Sequence, residues 1–281
     1  MTMDNSQTLI TWKEQNKNHR ARWQAEKGTA PPKRVVVIDD TQTADAAYRL
    51  ACEGTAMLWR GDFQNAKQLL QAMARRVDAQ AAKSARKRTP DLKDAFNLHR
   101  LAQSQRARTL SMLLIPFDRD YTILLHRAPD VRDACEGAWG PPAKSGGDLV
   151  ASLRELLGVI GAHEWRRKGV EIAALGERVH PHYGVFAPIR GEYVDLVTKA
   201  PLPAGCELAF DIGTGSGILA AVLARRGIKR VVATDQDPRA LQCAMENARN
   251  LGLTATIEVI ESDLFPDGRA PLVVCNPPWV P

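Results

Sequence analysis

Asp211-Ile212-Gly213-Thr214-Gly215-Ser216-Gly217-Ile218 is the stretch on which the fold turns. The residues before it, Cys206–Asp211, read as a strand, and Ile218–Arg226 after it reads as a helix. Glycines at alternate positions let a backbone turn sharply and approach a ligand with no Cβ in the way. Further along, strand-like and helix-like runs alternate. Arg230–Asp235 reads as a strand, Pro238–Asn250 as a helix, and Thr256–Ile260 and Leu272–Cys275 as strands. Asp237 is a suitable cap for the second helix, with Pro238 at its first position. This βαβαβ rhythm predicts a parallel sheet with helices on its faces.

The turn is not the dinucleotide fingerprint. There the third glycine falls three residues after the second, whereas here it falls two after and position 218 is Ile. A nicotinamide-dependent reductase is disfavoured on that ground. Acid-x-Gly-x-Gly-x-Gly resembles instead the first motif of the class I methyltransferases. The resemblance implies S-adenosylmethionine as cofactor. It implies that Asp211, Gly213, Thr214, Gly215 and Gly217 pack against the methionine and ribose parts, with the acid suited to the ammonium group. An acid is then expected at the end of strand two for the ribose hydroxyls, and Asp235 stands there, followed by Gln236 along the adenine. After strand three, Asp263 and Leu264 match the family's acid at the adenine amino group and its apolar neighbour. A glycine turn alone is a common structural device, and Asp235 alone would read as a helix cap. The ordered set is more specific than any member of it.

Strand four runs into Asn276-Pro277-Pro278-Trp279. Asn-Pro-Pro-aromatic resembles the active-site motif of methyltransferases acting on amino groups conjugated to a π system. These include adenine and cytosine N-methyltransferases and the glutamine methyltransferases of release factors. Such a nitrogen is a poor nucleophile because its lone pair is delocalised. The Asn276 side-chain oxygen and the Pro277 carbonyl can accept its two N–H bonds, which stabilises positive charge as it develops. Pro277 and Pro278 fix the backbone that presents these acceptors, and Trp279 can stack on the planar group. Asn276, Pro277, Pro278 and Trp279 are the expected catalytic set, with Asn276 also at the cofactor. Transfer from sulfur to nitrogen is then mainly positioning, with no metal required.

A further resemblance lies upstream. Ala187-Pro188-Ile189-Arg190-Gly191-Glu192-Tyr193-Val194-Asp195-Leu196-Val197 is similar to the Pro-Arg-Pro-Glu-Thr-Glu-x-Leu-Val segment of the glutamine methyltransferases. Arg190, Glu192, Leu196 and Val197 match, while Gly191, Tyr193 and Val194 replace Pro, Thr and Glu. The segment is expected to cover the cofactor pocket, with Tyr183 and Phe186 as wall residues. The resemblance spans residues 181–281. The expected architecture is α/β: a Rossmann-like class I methyltransferase sheet over 181–281, preceded by a separate mixed, mainly helical domain over 1–180 that selects the substrate.

In the first part, residues 1–35 read as a polar arm with one helix, and Arg34–Ile38 as a strand. Residues 44–77 read as helical, 78–92 as a linker or exposed helix, and 93–108 as a second helix. Leu110–Ile115 and Tyr121–Leu125 suggest a hairpin, and Leu149–Ile160 a helix. No motif here names a chemistry. The 281 residues carry a net charge of +6, a weak pointer to phosphate-bearing partners. Residues 75–108 hold ten Lys or Arg against three Asp, which suits either a solvated face or contact with an rRNA, tRNA or DNA backbone. The five cysteines are scattered and never spaced as CxxC, which argues against zinc and disulfides and for a reducing, cytoplasmic setting. No apolar run is long enough for a membrane helix.

A class I sheet has seven strands, and four are legible before Pro281. The sequence is therefore expected to be C-terminally incomplete, with weak cofactor binding and little activity alone. The expected function is transfer of a methyl group from S-adenosylmethionine to a planar amino or amide nitrogen of a macromolecule, either a protein glutamine or a nucleobase. The alternative is a non-catalytic binding module of the same fold.

Overall fold

The computed structural model describes residues 8–25, 28–85, 92–143, 147–189 and 191–277. The chain divides into two compact units, Met1–Ile160 and Gly161–Pro281.

The first unit contains β1 (Leu9–Glu14), β2 (Lys17–Gln24), β3 (Arg34–Ile38), α1 (Ala44–Cys52), β4 (Thr55–Trp59), α2 (Phe63–Ala85), α3 (Leu92–Leu110), β5 (Leu113–Phe117), α4 (Arg132–Trp139) and β6 (Leu149–Ser152). The helix that follows, α5 (Leu153–Lys168), crosses the division. The strands form one sheet in the order β1-β2-β6-β5-β4-β3. Neighbours β3, β4 and β5 are parallel, β6 is antiparallel to β5, and β2 is parallel to β6. Ile10, Ala21, Ala56, Leu58, Leu114 and Val150 form a buried cluster, joined by Trp12 and Val35. The sheet curls so that β1 comes beside β3, and Glu14 pairs with Arg60 at 2.8 Å.

Four readings of this region need correction. The N-terminal arm holds a β-hairpin, not a helix. Its two-residue turn, Gln15 (φ 48°) and Asn16 (φ 63°), has the positive dihedrals that suit the twist of paired strands. The strand has no sequence signature because only Ala21 is buried in the polar run of β2, with Trp23 partly so. Residues 44–77 are not one helical region, since β4 lies within them. All five β4 residues are buried, and a short continuous apolar run carries no period to separate strand from helix. Tyr121–Leu125 is not the partner of β5, which pairs instead with β4 and β6. Leu149–Ser152 is a buried strand, and the helix starts only at Leu153, with Ser152 Oγ accepting from the Glu155 amide at 3.1 Å. The unit is thus mixed: a six-stranded sheet with the long helices α2 and α3.

The second unit contains β7 (Val170–Ile172), β8 (Glu177–Val179), α6 (Glu192–Lys199), β9 (Leu208–Ile212), α7 (Ile218–Arg225), β10 (Arg230–Asp235), α8 (Pro238–Asn250), β11 (Ile257–Glu261) and β12 (Leu272–Cys275). Four of these strands make a wholly parallel sheet in the order β11-β10-β9-β12. Helix α7 is buried from Ile218 through Leu223, and its side chains share a core with Val231, Ala233, Ala248 and Ile257. Val170, Ile172 and Val179 of the β7–β8 hairpin belong to that same core. The unit thus starts ahead of residue 181, the expected boundary. Among the described residues no helix is long and apolar enough to cross a membrane.

Candidate cofactor site

Strand order decides where a ligand can sit in such a sheet. From β9 the chain moves outward to β10 and β11, then returns to the other side of β9 as β12. The crossovers therefore diverge between β9 and β12 and leave a crevice beyond their carboxyl ends, the usual ligand position of open α/β sheets. The glycine turn leaves β9 on one side of this switch point. Asn276 and Pro277 leave β12 on the other. Cys275 pairs with Ile212, so Asn276 is level with Gly213. Asn276 is half-buried and Pro277 exposed. Pro278, Trp279 and Arg190 lie outside the described residues.

The turn is held from behind by the second acid's neighbours and by its own carboxylate. Asp211 is buried, and one of its oxygens accepts from Thr214 Oγ1 at 2.6 Å and from the Ala220 amide at 3.0 Å. It therefore closes the turn and satisfies an amide in the first turn of α7, where negative charge is favoured. Burial pushes its carboxyl up to about 6 against the bonds from Thr214 and Ala220, and the charge of Asp235 adds to the rise. Asp235 accepts from the Gly215 amide at 3.0 Å through one oxygen and from the Asp237 amide at 3.0 Å through the other. The Thr214 amide donates to Thr234 O at 2.8 Å. The turn is thus laced to the end of β10.

Gly217 has φ +80°, and a Cβ there would stand 3.1 Å from Ala244 Cα and 3.2 Å from its Cβ. This third glycine lets α8 pack against the start of α7. Gly215 has φ +55°, and a Cβ on it would meet only Val185 Cγ1 at 4.0 Å. At this glycine the turn stays open, bordered by the segment that precedes α6.

Beyond β10, the Gln236 side-chain amide donates to Asp263. Leu264 adopts φ 72°, unusual for a branched side chain, and its carbonyl accepts from Thr234 Oγ1 at 2.7 Å. Leu264 and its neighbour Phe265 are 59% and 61% exposed. Two large apolar side chains therefore stand in solvent next to the Gln236–Asp263 pair. Asp211, Gly213, Thr214, Gly215, Gly217, Asp235, Gln236, Asp263 and Leu264 all lie at the carboxyl ends of β9, β10 and β11.

Several further residues shape this end of the sheet. Asn247 of α8 is buried; it donates to Ser216 O at 2.9 Å and accepts from the His180 amide at 2.8 Å. It ties the glycine turn to the segment before α6. On the same helix, Glu246 accepts from His182 at 2.7 Å, Arg166 at 3.0 Å and Gln242 at 3.0 Å. Burial opposes its ionisation, yet these partners outweigh burial and hold the carboxyl below its usual range. Tyr193 of α6 lies 6.0 Å ring to ring from Phe186. Its hydroxyl is buried without a partner among the described residues. Burial pushes that phenol up to about 12, and Asp211 is close enough for its charge to add to the rise. No spacing in the sequence marks Asn247. Tyr193 is visible only as a departure from the Thr of the related motif.

The residues fit S-adenosylmethionine on these observations. Asp235 offers a carboxylate beside an uncrowded glycine turn, Leu264 and Phe265 offer an apolar platform, and the orphaned Tyr193 hydroxyl awaits a polar partner near Asp211.

Residues 201–277 match the family described as ribosomal protein L11 methyltransferase (PrmA). A ribosomal protein L11 methyltransferase of Pelotomaculum thermopropionicum is 43% identical over 83 residues, 29% of this chain and 26% of that protein. A release factor glutamine methyltransferase of Moorella thermoacetica is 44% identical over 92 residues, 31% of this chain and 32% of that protein. The chain thus spans about a quarter to a third of the length of these relatives. The N-terminal domain of human METTL16, solved in complex with SAH, overlays with a TM-score of 0.31 at 18% identity, covering 49% of this chain and 58% of that one. That likeness is too slight to bear on function. Residues 201–277 are thus similar to a segment of protein methyltransferases.

Proposed function

We propose that the chain transfers a methyl group from S-adenosylmethionine to a planar amide or amino nitrogen of a macromolecule, with a protein glutamine as the first candidate. One observation carries the reading: Asn276 and Pro277 leave β12 level with Gly213, across the switch point from the glycine turn. In this reading Asp235 takes the ribose hydroxyls, Gln236, Asp263 and Leu264 receive the adenine, and Asp211 with Gly213, Thr214, Gly215 and Gly217 seats the methionine end. The Asn276 amide oxygen and the Pro277 carbonyl hold the two N–H groups of the acceptor nitrogen, and Trp279 stacks on its plane. Bound cofactor supplies the activated methyl group. The segment from His180 to Phe186, tied down by Asn247, walls the pocket. The names of the relatives support a protein acceptor.

A nucleobase acceptor is the second reading, and the helical pair α2–α3 favours it. Arg75, Lys83, Lys93, Arg100 and Arg108 are exposed, in a region with ten basic residues against three acids. Such an arm gives sequence-independent affinity for phosphates.

Calorimetric titration of the chain with S-adenosylmethionine, beside Asp235→Ala, tests the cofactor. Saturable binding that falls at least tenfold in the variant supports the reading, and equal binding by both proteins refutes it. Incubation of ribosomal extract with cofactor labelled on its methyl group then separates the acceptors. Protease-sensitive label supports the first reading, and nuclease-sensitive label the second.

A further inference from the structure

Helices α2 and α3 run past the core of the first unit. Between Met73 and Leu110, no described residue of either helix is buried. The two helices hold to each other instead. Leu98, Ala102, Arg106 and Thr109 are half-buried at three- and four-residue steps of α3, and Arg106 pairs with Asp78 of α2 at 2.7 Å. Residues at such steps share one side of a helix, so this is the side of α3 turned to α2. The opposite side carries Lys93, Phe96, Asn97, Arg100, Ser104 and Arg108, again at three- and four-residue steps, and all six are exposed.

Charge is sorted between the two sides. The outer side holds three cations and no acid, and the one acid of α3, Asp94, stands on the flank. The inner side sets Asp78 against Arg106. A helix that is only solvated has no need of this order, since charges of both signs on each face keep it in water as well. The outer side also exposes a large ring. Phe96 is 46% exposed, one turn from Lys93 and from Arg100, whose guanidinium lies 5.8 Å from the ring centroid. From Lys93 to Arg108 the stripe is about 22 Å long, at about 1.5 Å per residue.

We infer that this outer side of α3 docks unpaired RNA. Lys93, Arg100 and Arg108 supply sequence-independent contacts to phosphates. Phe96 and the Arg100 guanidinium give a base a planar surface on which to stack. Asn97 and Ser104, between the cations, can donate to or accept from a 2′-hydroxyl, the group that separates RNA from DNA. Stacked nucleotides rise about 3.4 Å each, so the stripe takes about six. An acidic peptide would use the cations but leave Phe96 without a planar partner. RNA is held this way whether the methyl acceptor is a nucleobase or a protein glutamine, so the docking face stands apart from the choice of acceptor.

Fluorescence anisotropy of the full chain with a labelled single-stranded RNA of about twelve nucleotides, at about 50 to 200 mM salt, tests the face. Duplex RNA, single-stranded DNA and poly-glutamate are compared with it. Lys93→Gln, Arg100→Gln and Arg108→Gln together remove the stripe's cations. Arg167→Gln, Lys168→Gln and Lys229→Gln together remove three exposed cations of the second unit, as a charge-matched control. The stripe variant should bind RNA at least tenfold more weakly, with a log–log salt slope shallower by about 2, since each lost phosphate contact removes about 0.7. The control should stay close to the parent. Phe96→Ala should weaken binding severalfold and leave the slope unchanged, because stacking releases no counterions. Arg100→Gln alone should show about a third of the slope change, and it reads the face if circular dichroism shows that the triple variant loses helix. No RNA binding at the lowest salt, equal weakening in the control, a slope unchanged in both stripe variants, or tighter binding of poly-glutamate than of RNA would overturn the face. Tighter binding of the duplex or of DNA, or binding unaffected by Phe96→Ala, would overturn unpaired RNA as its occupant.

Discussion

The two units each carry parallel strands joined by helices, and they finish those strands in opposite ways. In the first unit β3, β4 and β5 advance in one direction across the sheet, so no crossovers diverge among them. Side chains of the unit occupy the space between the β3 and β4 exits, and a cavity of about 420 Å³ lined by Val37, Ile38, Asp39, Thr41, Gln42 and Arg60 remains at the end of β3. Asp40, after β3, accepts from the Asp62 amide at 3.1 Å and from Asn65 at 2.9 Å. Asp62, after β4, accepts from Arg127 at 2.6 Å and His126 at 2.6 Å. Gly61 admits this packing, since a Cβ there would stand 2.6 Å from the Asp40 carboxyl. In the second unit the order reverses at β9, and the exit carries a glycine turn braced from behind. Of the two parallel sets, β3–β5 and β9–β12, the second alone reverses its order, and its exit carries the glycine turn.

The comparison can be broken most forcefully at its glycines. Gly217→Ala meets both a positive φ and Ala244 at 3.1 Å, so it should cost about 2–4 kcal/mol from backbone strain and overpacking together. Gly54→Ala in the first unit has φ +74° but nothing within 4 Å, and should cost only about 1 kcal/mol. Urea unfolding of both variants measures the gap, and equal losses would remove the claim that α8 needs the third glycine.

The acids of the two exits should respond to pH with opposite sign. Asp211 is raised in the folded state to about 6 from 3.8, so the folded state holds its proton more tightly than the unfolded chain. Its contribution to stability is therefore greatest below pH 3.8 and is lost as pH rises to about 6, a change of about 3 kcal/mol at about 1.4 kcal/mol per pH unit. Asp62 is lowered, chiefly by its bond from Arg127. Its contribution is present above the unfolded value and is lost as pH falls below it. Hydrogen exchange of each unit between pH 4 and 7 should show the second unit gaining relative protection on acidification. Asp211→Asn should flatten that trend, and a trend that survives the variant assigns it elsewhere.

A smaller effect is expected behind the turn. Asn247→Ala leaves Ser216 O and the His180 amide buried without this partner, at a cost of about 1–3 kcal/mol. Cofactor affinity should fall with it if the segment before α6 walls the pocket. A stability loss with affinity intact would limit Asn247 to the core. The smallest effect is at Leu264. Leu264→Gly relieves a left-handed backbone and should leave stability within about 1 kcal/mol of the parent, while weakening cofactor binding through loss of the exposed platform.

The two units also differ in how much of them the sequence disclosed. In the second, β10, α8 and β12 fall at their expected bounds, α8 because Asp237-Pro238 starts a helix chemically, while the strand before the glycine turn is Leu208–Ile212 and not Cys206–Asp211. In the first, β4 is buried throughout and β2 is nearly all polar, so neither shows the alternation by which strands are read. The same limit applies to the sites. Asp211 and Asp235 announce themselves by position in a motif. Asn247 and Tyr193 are set by tertiary packing between elements distant in sequence, and no local spacing encodes them. That Asp211 spends one oxygen on Thr214 and Ala220 is likewise invisible in its motif.

Amide hydrogen exchange of the chain with and without saturating S-adenosylmethionine tests the central contrast most directly. The account expects slowed exchange at residues 213–217 and 235–237 and no change at residues 39–43 and 60–65. Protection appearing at the exits of β3 and β4, or absent from the glycine turn while calorimetry shows the cofactor bound, would contradict it.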